Sequence, residues 1–323
     1  MTAEIVKFEG NAPAKPETLT PKPFRLPEHL SFSALSTYSE CGERWRLEKA
    51  HGIQGPTWWN TLGGTAVHRV TEMVDRVWYG DDVEVQDFAT VFEQVIAEEL
   101  EKGGWSESDI KASGRKTKAW PNKQDKSWWH THGPLYVSAW IQWRERAGYE
   151  LWTTPWGDPG IEVPVEVEVA GRKFVGYVDR VFVDPNDGTG VPVDLKAGNH
   201  EPKSTLQLGT YGVVLGRDYG LEVRRGGFWM AKDYEKDHLG LKYMEDLSRF
   251  TPEFVDAQFE MAWRGITAGV FLPSPSMMCG SCAVNRFCGL MGGDRAGEVP
   301  ILEDLSTVAE LEATAEVKQI TSG

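Results

Sequence analysis

The chain has 323 residues, with 34 Lys or Arg against 48 Asp or Glu, for a formal net charge of −14. Its 41% hydrophobic and 25% charged content is that of a folded globular protein and excludes a disordered, collagenous or membrane-embedded chain. No window approaches the ~18 uninterrupted apolar residues of a spanning helix, and the N-terminus lacks the basic-then-apolar order of a secretory signal, so a soluble cytoplasmic protein is expected. Taken alone, the acidic balance argues against a nucleic-acid binder, because phosphate recognition leaves a basic footprint.

In chain order, residues 1–29 carry Pro13, Pro16, Pro21, Pro23 and Pro27 and read as an extended or mobile arm. Ser31 or Ser33 can then cap a helix bearing Leu35, Tyr38 and Trp45. The run GGTAVHRVTEMVDRVWYG places Val67, Val70, Val74 and Val77 at helical spacing, with His68 and Glu72 on another stripe. Further helices are predicted over roughly 87–102 and 128–147. Between them, residues 111–126 hold six basic residues and one acid. An isolated charge run is commonly a solvated loop. Trp105, Trp120, Trp128 and Trp129 flank or interrupt this one, which is the basic and aromatic mixture that single-stranded nucleic acid favours. Both readings stand at this point.

The period then changes. IEVPVEVEV, RKFVGYVDRVFVD and GVPVDLKAG read as three successive strands separated by turn clusters. STLQLGTYGVVLG reads as a helix, LEVRRGGFWMA as a strand, and TPEFVDAQFEMAWRGITAG as a helix opened by a Thr-Pro cap. The stretch from 291 has seven acids and two bases and reads as a partly ordered acidic tail.

The strands bring the chemistry. Residues i and i+2 of a strand face the same way, so Asp194 and Lys196 project to one side while Leu195 points into the core. If the strand of Asp179 pairs with that of Asp194, two carboxylates share a small space. Such a pair repels itself unless a divalent cation sits between them, and oxygen ligands suit Mg²⁺ or Mn²⁺. A lysine beside the metal can position a water and steady charge on a phosphate. The plainer alternative is a set of strand ion pairs, Asp179 with Arg180 and Asp194 with Lys196. His68 is a suitable extra ligand, and Gln207 and Tyr211, at i and i+4, can point at the same substrate or at Lys196. Gly63, Gly64 and Gly176 would let backbone approach closely nearby. Glu162 and Glu166, on the preceding strand, are candidates for a supporting role.

In order, GGTAVH, GYVDR, VDLKAG and QLGTY resemble the motifs of the PD-(D/E)XK nuclease superfamily, and within it the RecB-like branch. The resemblance spans residues 31–290. It implies an α/β fold, a restriction-endonuclease-like core with a mixed central sheet flanked by helices, a helical N-terminal region and a C-terminal segment. By resemblance, His68, Asp179, Asp194 and the Leu195 carbonyl would bind metal, Lys196 would serve the attacking water, and Gln207 and Tyr211 would contact DNA or order the site. One departure is Asp194, where close relatives more often carry Glu.

Cys41 stands alone near the start, and Cys279, Cys282 and Cys288 cluster near the end. This one-plus-three order is similar to that of the iron–sulfur members of the RecB-like branch: AddB-type nucleases, the nuclease-helicases of eukaryotic replication, and the CRISPR-associated exonucleases with their phage-encoded relatives. It implies a structural [4Fe-4S] cluster rather than zinc or disulfides. The expected organisation is an arm over 1–29, one nuclease domain over 30–290 closed by the four cysteines, and the tail over 291–323. The expected function is an ATP-independent Mg²⁺- or Mn²⁺-dependent DNA exonuclease acting on single-stranded ends in recombination or processing. Arg115, Lys116, Lys118, Trp120 and Lys123 are its candidate DNA contacts. The rival is a DNA-binding or adaptor protein that keeps the fold and cluster; an RNA-directed hydrolase is a third possibility.

Overall fold

A computed structural model describes residues 20–114, 116–118, 123–198 and 200–300. A five-stranded mixed sheet runs in the order β1 (Ile161–Val169), β2 (Arg172–Val183), β3 (Gly190–Lys196), β4 (Arg225–Met230) and β5 (Glu245–Asp246). The first three strands form antiparallel pairs, β3 and β4 are parallel, and β5 returns antiparallel. The β1–β2 hairpin closes on Ala170 and Gly171, both with positive φ (53° and 70°), as a tight two-residue turn demands. The Ala170 N–H donates to Asp256 Oδ1 at 3.2 Å, which helps hold an alanine in a conformation that favours glycine.

Among the described residues seven α-helices surround the sheet: α1 (Phe32–Glu40), α2 (Gly42–Trp45), α3 (Trp59–Tyr79), α4 (Phe88–Gly103), α5 (Lys126–Ala147), α6 (Leu206–Tyr219) and α7 (Pro252–Thr267). On one face, Val67 and Val70 of α3, Phe92 of α4 and Trp140 of α5 share a core with Phe182, Val193, Leu195 and Trp229. On the other, Leu208 and Val214 of α6 and Val255, Phe259 and Trp263 of α7 pack on Val163, Phe174, Val178 and Val181. The fold is therefore α/β, with a mixed sheet flanked by helices, as expected.

The helices follow their sequence signals closely. Asp87 and Asp125 cap α4 and α5, accepting from the Thr90 and Trp128 N–H groups at 3.1 and 3.0 Å, and α3, α4, α5 and α6 end on left-handed glycines. The helix expected to run through Trp45 instead breaks at Cys41. Its extended backbone ends α1 and caps α2, the thiol accepting from the Arg44 N–H at 3.4 Å.

Two segments assigned to the arm and the tail pack against the fold where they are described. The Lys22 and Arg25 N–H groups donate to the His51 and Ala50 carbonyls at 2.9 and 3.1 Å. Val299 is 7% exposed in a small core with Leu47, Ile53, Val284 and Phe287. Residues 1–19 and 301–323 lie outside the described residues. Among the described residues no helix is long and apolar enough to cross a membrane.

Candidate active site

The site forms where β2 and β3 part. Their pairing ends at Arg180 with Val193, and one step further the same register sets Asp179 opposite Asp194. The Leu195 N–H donates instead to Asp179 Oδ2 at 2.8 Å. The Leu195 carbonyl lies 2.9 Å from His68 Nε2 on α3, while the other ring nitrogen of His68 is 3.7 Å from Asp179 Oδ2. Leu195 itself is buried in the core beneath α3 and α5, so its backbone is held while its polar groups face the fork.

Asp194 is only 1% exposed and faces α6. Gln207 donates from Nε2 to Asp194 Oδ1 at 2.7 Å and accepts from Lys196 Nζ at Oε1, 3.0 Å away. Tyr211, one turn on, lies 2.8 Å from the Gln207 amide and 3.4 Å from Asp194 Oδ1. Lys196 Nζ stands 2.6 Å from Asp194 Oδ2, an ion pair whose geometry gives that oxygen no aligned hydrogen bond. Burial and, after it, the charge of Asp179 push the Asp194 carboxyl up to about 6, against the pull of Lys196. The same burial, with Asp194 alongside, holds the Tyr211 phenol well above its usual range. A buried carboxylate oxygen lacking an aligned donor, beside a second carboxylate and a backbone carbonyl, is a donor set that suits a hard divalent cation.

The motif residues His68, Asp179, Asp194, Lys196, Gln207 and Tyr211 thus converge from α3, β2, β3 and α6. Sequence reasoning gave Glu162 only a supporting place and missed Asp75. Glu162 of β1 comes within 4.8 Å of both His68 and Asp179 through its ligating atoms. Burial first, then the Asp179 charge, raises its carboxyl from 4.5 to about 7, partly opposed by Arg180. Behind it, Asp75 of α3 accepts from Arg180 Nε, Arg144 Nε and Trp140 Nε1 at 2.7, 3.0 and 3.1 Å. Asp75 and Arg180 are both fully buried. Arg180 Nη1 reaches on to Glu162 Oε1 at 3.2 Å and to the Asp179 carbonyl at 2.6 Å. The available signal was a charge on a buried stripe: Asp75 directly follows Val74 of the apolar face of α3. Glu166, by contrast, is exposed and pairs with Lys173.

A cleft of about 470 Å³ opens beside these groups, lined by Asn60, Thr65, Arg69, Glu162 and Lys196 among others. Gly64 allows the close approach foreseen for it: a Cβ there would lie 3.3 Å from Ala197 at the end of β3.

The basic segment is only partly as expected. Lys116, Lys118 and Lys123 are exposed, whereas Arg115 and Trp120 lie outside the described residues. Trp128 and Trp129 are 8% and 1% exposed and belong to the helical core. They cannot stack on bases, which removes two of the four aromatic groups read as flanking a nucleic-acid surface. The reason is helical phase: both fall on the face of α5 that packs on α3. His130 pairs with Glu93, and His132 stacks on Trp128 at 3.9 Å.

The four cysteines are free and half-buried. Backbone N–H groups of Arg44 and Ser274 point at Cys41 Sγ, both at 3.4 Å, and that of Ser276 at Cys279 Sγ at 3.2 Å. Cys282 and Cys288 border the small core around Leu47 and Phe287, and burial pushes the Cys282 thiol up. Among the described residues no three thiols come within a single ion's coordination reach, so no single-metal thiolate site is drawn together there.

Residues 29–289 match the profile of the PD-(D/E)XK nuclease superfamily. The Gene 69 protein of Mycobacterium phage D29 is 29% identical over 279 residues, covering 80% of this chain and 95% of that protein. The Gene 69 protein of Mycobacterium phage L5 is 28% identical over 297 residues, with the same coverage. The crystal structure of SSO0001 overlaps at a TM-score of 0.31 and 12% identity, covering 71% of this chain and 85% of that one, a likeness too slight to argue from.

Proposed function

Since the chain belongs to the PD-(D/E)XK nuclease superfamily, we propose that it is a divalent-metal-dependent deoxyribonuclease of the RecB-like branch, acting as an exonuclease on single-stranded DNA ends. The observation that carries this reading is the convergence of Asp179, Asp194 and Lys196 around one Leu195 backbone unit, locked by Gln207. His68, Asp179, Asp194 and the Leu195 carbonyl would hold Mg²⁺ or Mn²⁺. A bound cation supplies an acidified water and a counter-charge for the phosphate. Lys196 Nζ would orient the attacking water and offset charge developing on the phosphate oxygens. Gln207 keeps Lys196 and Asp194 in register, and Tyr211 keeps the Gln207 amide in place.

Its phage relatives favour a role in phage DNA recombination or processing. The exposed Lys116, Lys118 and Lys123 support a path for the DNA backbone. The order of the cysteines and the backbone N–H groups aimed at Cys41 and Cys279 support a [4Fe-4S] cluster with Cys41, Cys279, Cys282 and Cys288 as ligands. End-labelled single- and double-stranded DNA incubated with Mg²⁺ or Mn²⁺ tests activity and substrate together. Asp194→Ala and Lys196→Ala should each lower the cleavage rate by roughly 10²-fold or more. Cleavage at the parent's rate by either variant would show the assigned site to be wrong.

A further inference from the structure

We propose that Glu162 is a metal ligand: with His68 and Asp179 it holds a divalent cation on the β1 side of Asp179, beside the position that Asp194 serves from β3. The inference rests on the nuclease reading above and extends its metal site to a third strand.

The ligating atoms of His68, Glu162 and Asp179 all lie within 4.8 Å of one another, and the three residues come from α3, β1 and β2. The β1–β2 register runs from Ile161 with Arg180 to Val163 with Val178, which sets Glu162 opposite Asp179. The regular pairing lapses at that step, and Glu162 has φ 45°, a left-handed conformation inside a strand.

The competing explanation is that Glu162 only balances Arg180. Arg180 already has a counter-ion in Asp75, 2.7 Å away with both side chains fully buried. Around the fork, Asp75, Glu162, Asp179 and Asp194 face Arg144, Arg180 and Lys196. With all four acids ionised, three bases would leave one negative charge, which a cation would offset. One imidazole with two carboxylates suits Mn²⁺ or Mg²⁺, with water completing the shell.

The test is calorimetric titration of the full chain with Mn²⁺ alone, in parent and Glu162→Gln, which keeps the shape and an acceptor for Arg180. The variant should bind at least one Mn²⁺ some 10-fold or more weaker, the scale of losing even an outer partner of a metal. Unchanged affinity and stoichiometry would overturn the proposal. Carbodiimide labelling of the parent, read by mass spectrometry, needs no variant: Mn²⁺ should protect Glu162, and equal labelling with and without Mn²⁺ would equally overturn it. A parent that cleaves DNA while Glu162→Gln binds Mn²⁺ normally sinks this inference and leaves the nuclease reading standing. A parent that binds Mn²⁺ through Glu162 but cleaves no DNA does the reverse.

Discussion

Asp194 and Glu162 show how this fold makes two carboxylates costly to ionise. Asp194 is enclosed by α6 and braced by Gln207, Lys196 and Tyr211; Glu162 is set against Asp179 and backed by Arg180. Without a cation each competes with the Asp179 charge in a poorly solvated fork. For Glu162 the folded state holds its proton up to about 7, whereas an ordinary glutamate releases it near 4.5. The folded form therefore binds more protons across that window, and its stability falls as pH rises through it. In EDTA, denaturant unfolding at a series of pH values should find Glu162→Gln gaining on the parent between pH 4.5 and 7. A difference that stays flat with pH would count against the assigned environment. The Asp–x–Lys spacing of Asp194 and Lys196 was legible in the sequence because strand geometry puts i and i+2 on one side. The part played by Glu162 was not, since it depends on the register between two strands and on one left-handed residue.

At the scale of elements, the site is a consequence of how closely α3 lies on its neighbours. Gly63 is the contact point: a Cβ there would fall 2.0 Å from the ring of Trp129, which is 1% exposed and has nowhere to move. His68 lies five residues further along the same helix, so displacing α3 also displaces the imidazole from Leu195. Gly63→Ala should destabilise the protein by about 1–3 kcal/mol through overpacking. Gly216 of α6 provides the contrast, because the nearest atom to an added Cβ is the Leu221 carbonyl oxygen at 3.6 Å. Gly216→Ala should be neutral or stabilising by about 0.5–1 kcal/mol from reduced backbone entropy. Thermal melts should fall for Gly63→Ala and hold or rise for Gly216→Ala, and a comparable fall in both would contradict this packing. The helices and strands themselves were largely readable from periodicity and caps. The break at Cys41 was not, because the residues on either side both favour helix and the interruption places a thiol against Ser274.

For the whole molecule, the two ends of the described chain meet. The Gly42 N–H donates to the Leu272 carbonyl at 3.0 Å, Tyr38 Oη donates to the Val270 carbonyl at 2.7 Å, and Trp45 stacks on Phe271 at 5.8 Å. This packing brings Cys41 to the segment that carries Cys279, Cys282 and Cys288, and the same region seats Val299. On the proposed [4Fe-4S] assignment, protein purified without oxygen should be brown, with the broad visible absorbance of a thiolate-bound iron–sulfur cluster, and Cys282→Ser should lose it. A colourless, zinc-containing preparation would rule the cluster out. The net charge of −14 also reads differently at this scale. The stretch from 291 carries seven acids and two bases, and residues 111–126 carry six bases and one acid, so the total conceals a segregated distribution.

By itself the sequence determined the alternation of helix and strand, the order of the motifs, and the shared facing of Asp194 with Lys196 and of Gln207 with Tyr211. Each of these is written in local spacing, period 2 or 3.6, which the backbone obeys wherever the segment lies. Only the tertiary structure decided that Trp128 and Trp129 are core rather than surface, that Asp75 and Arg180 buttress the site from within, and that Glu162 joins His68 and Asp179. Those outcomes depend on which helix face meets which sheet and on strand register, and both are set by contacts between residues far apart in the chain.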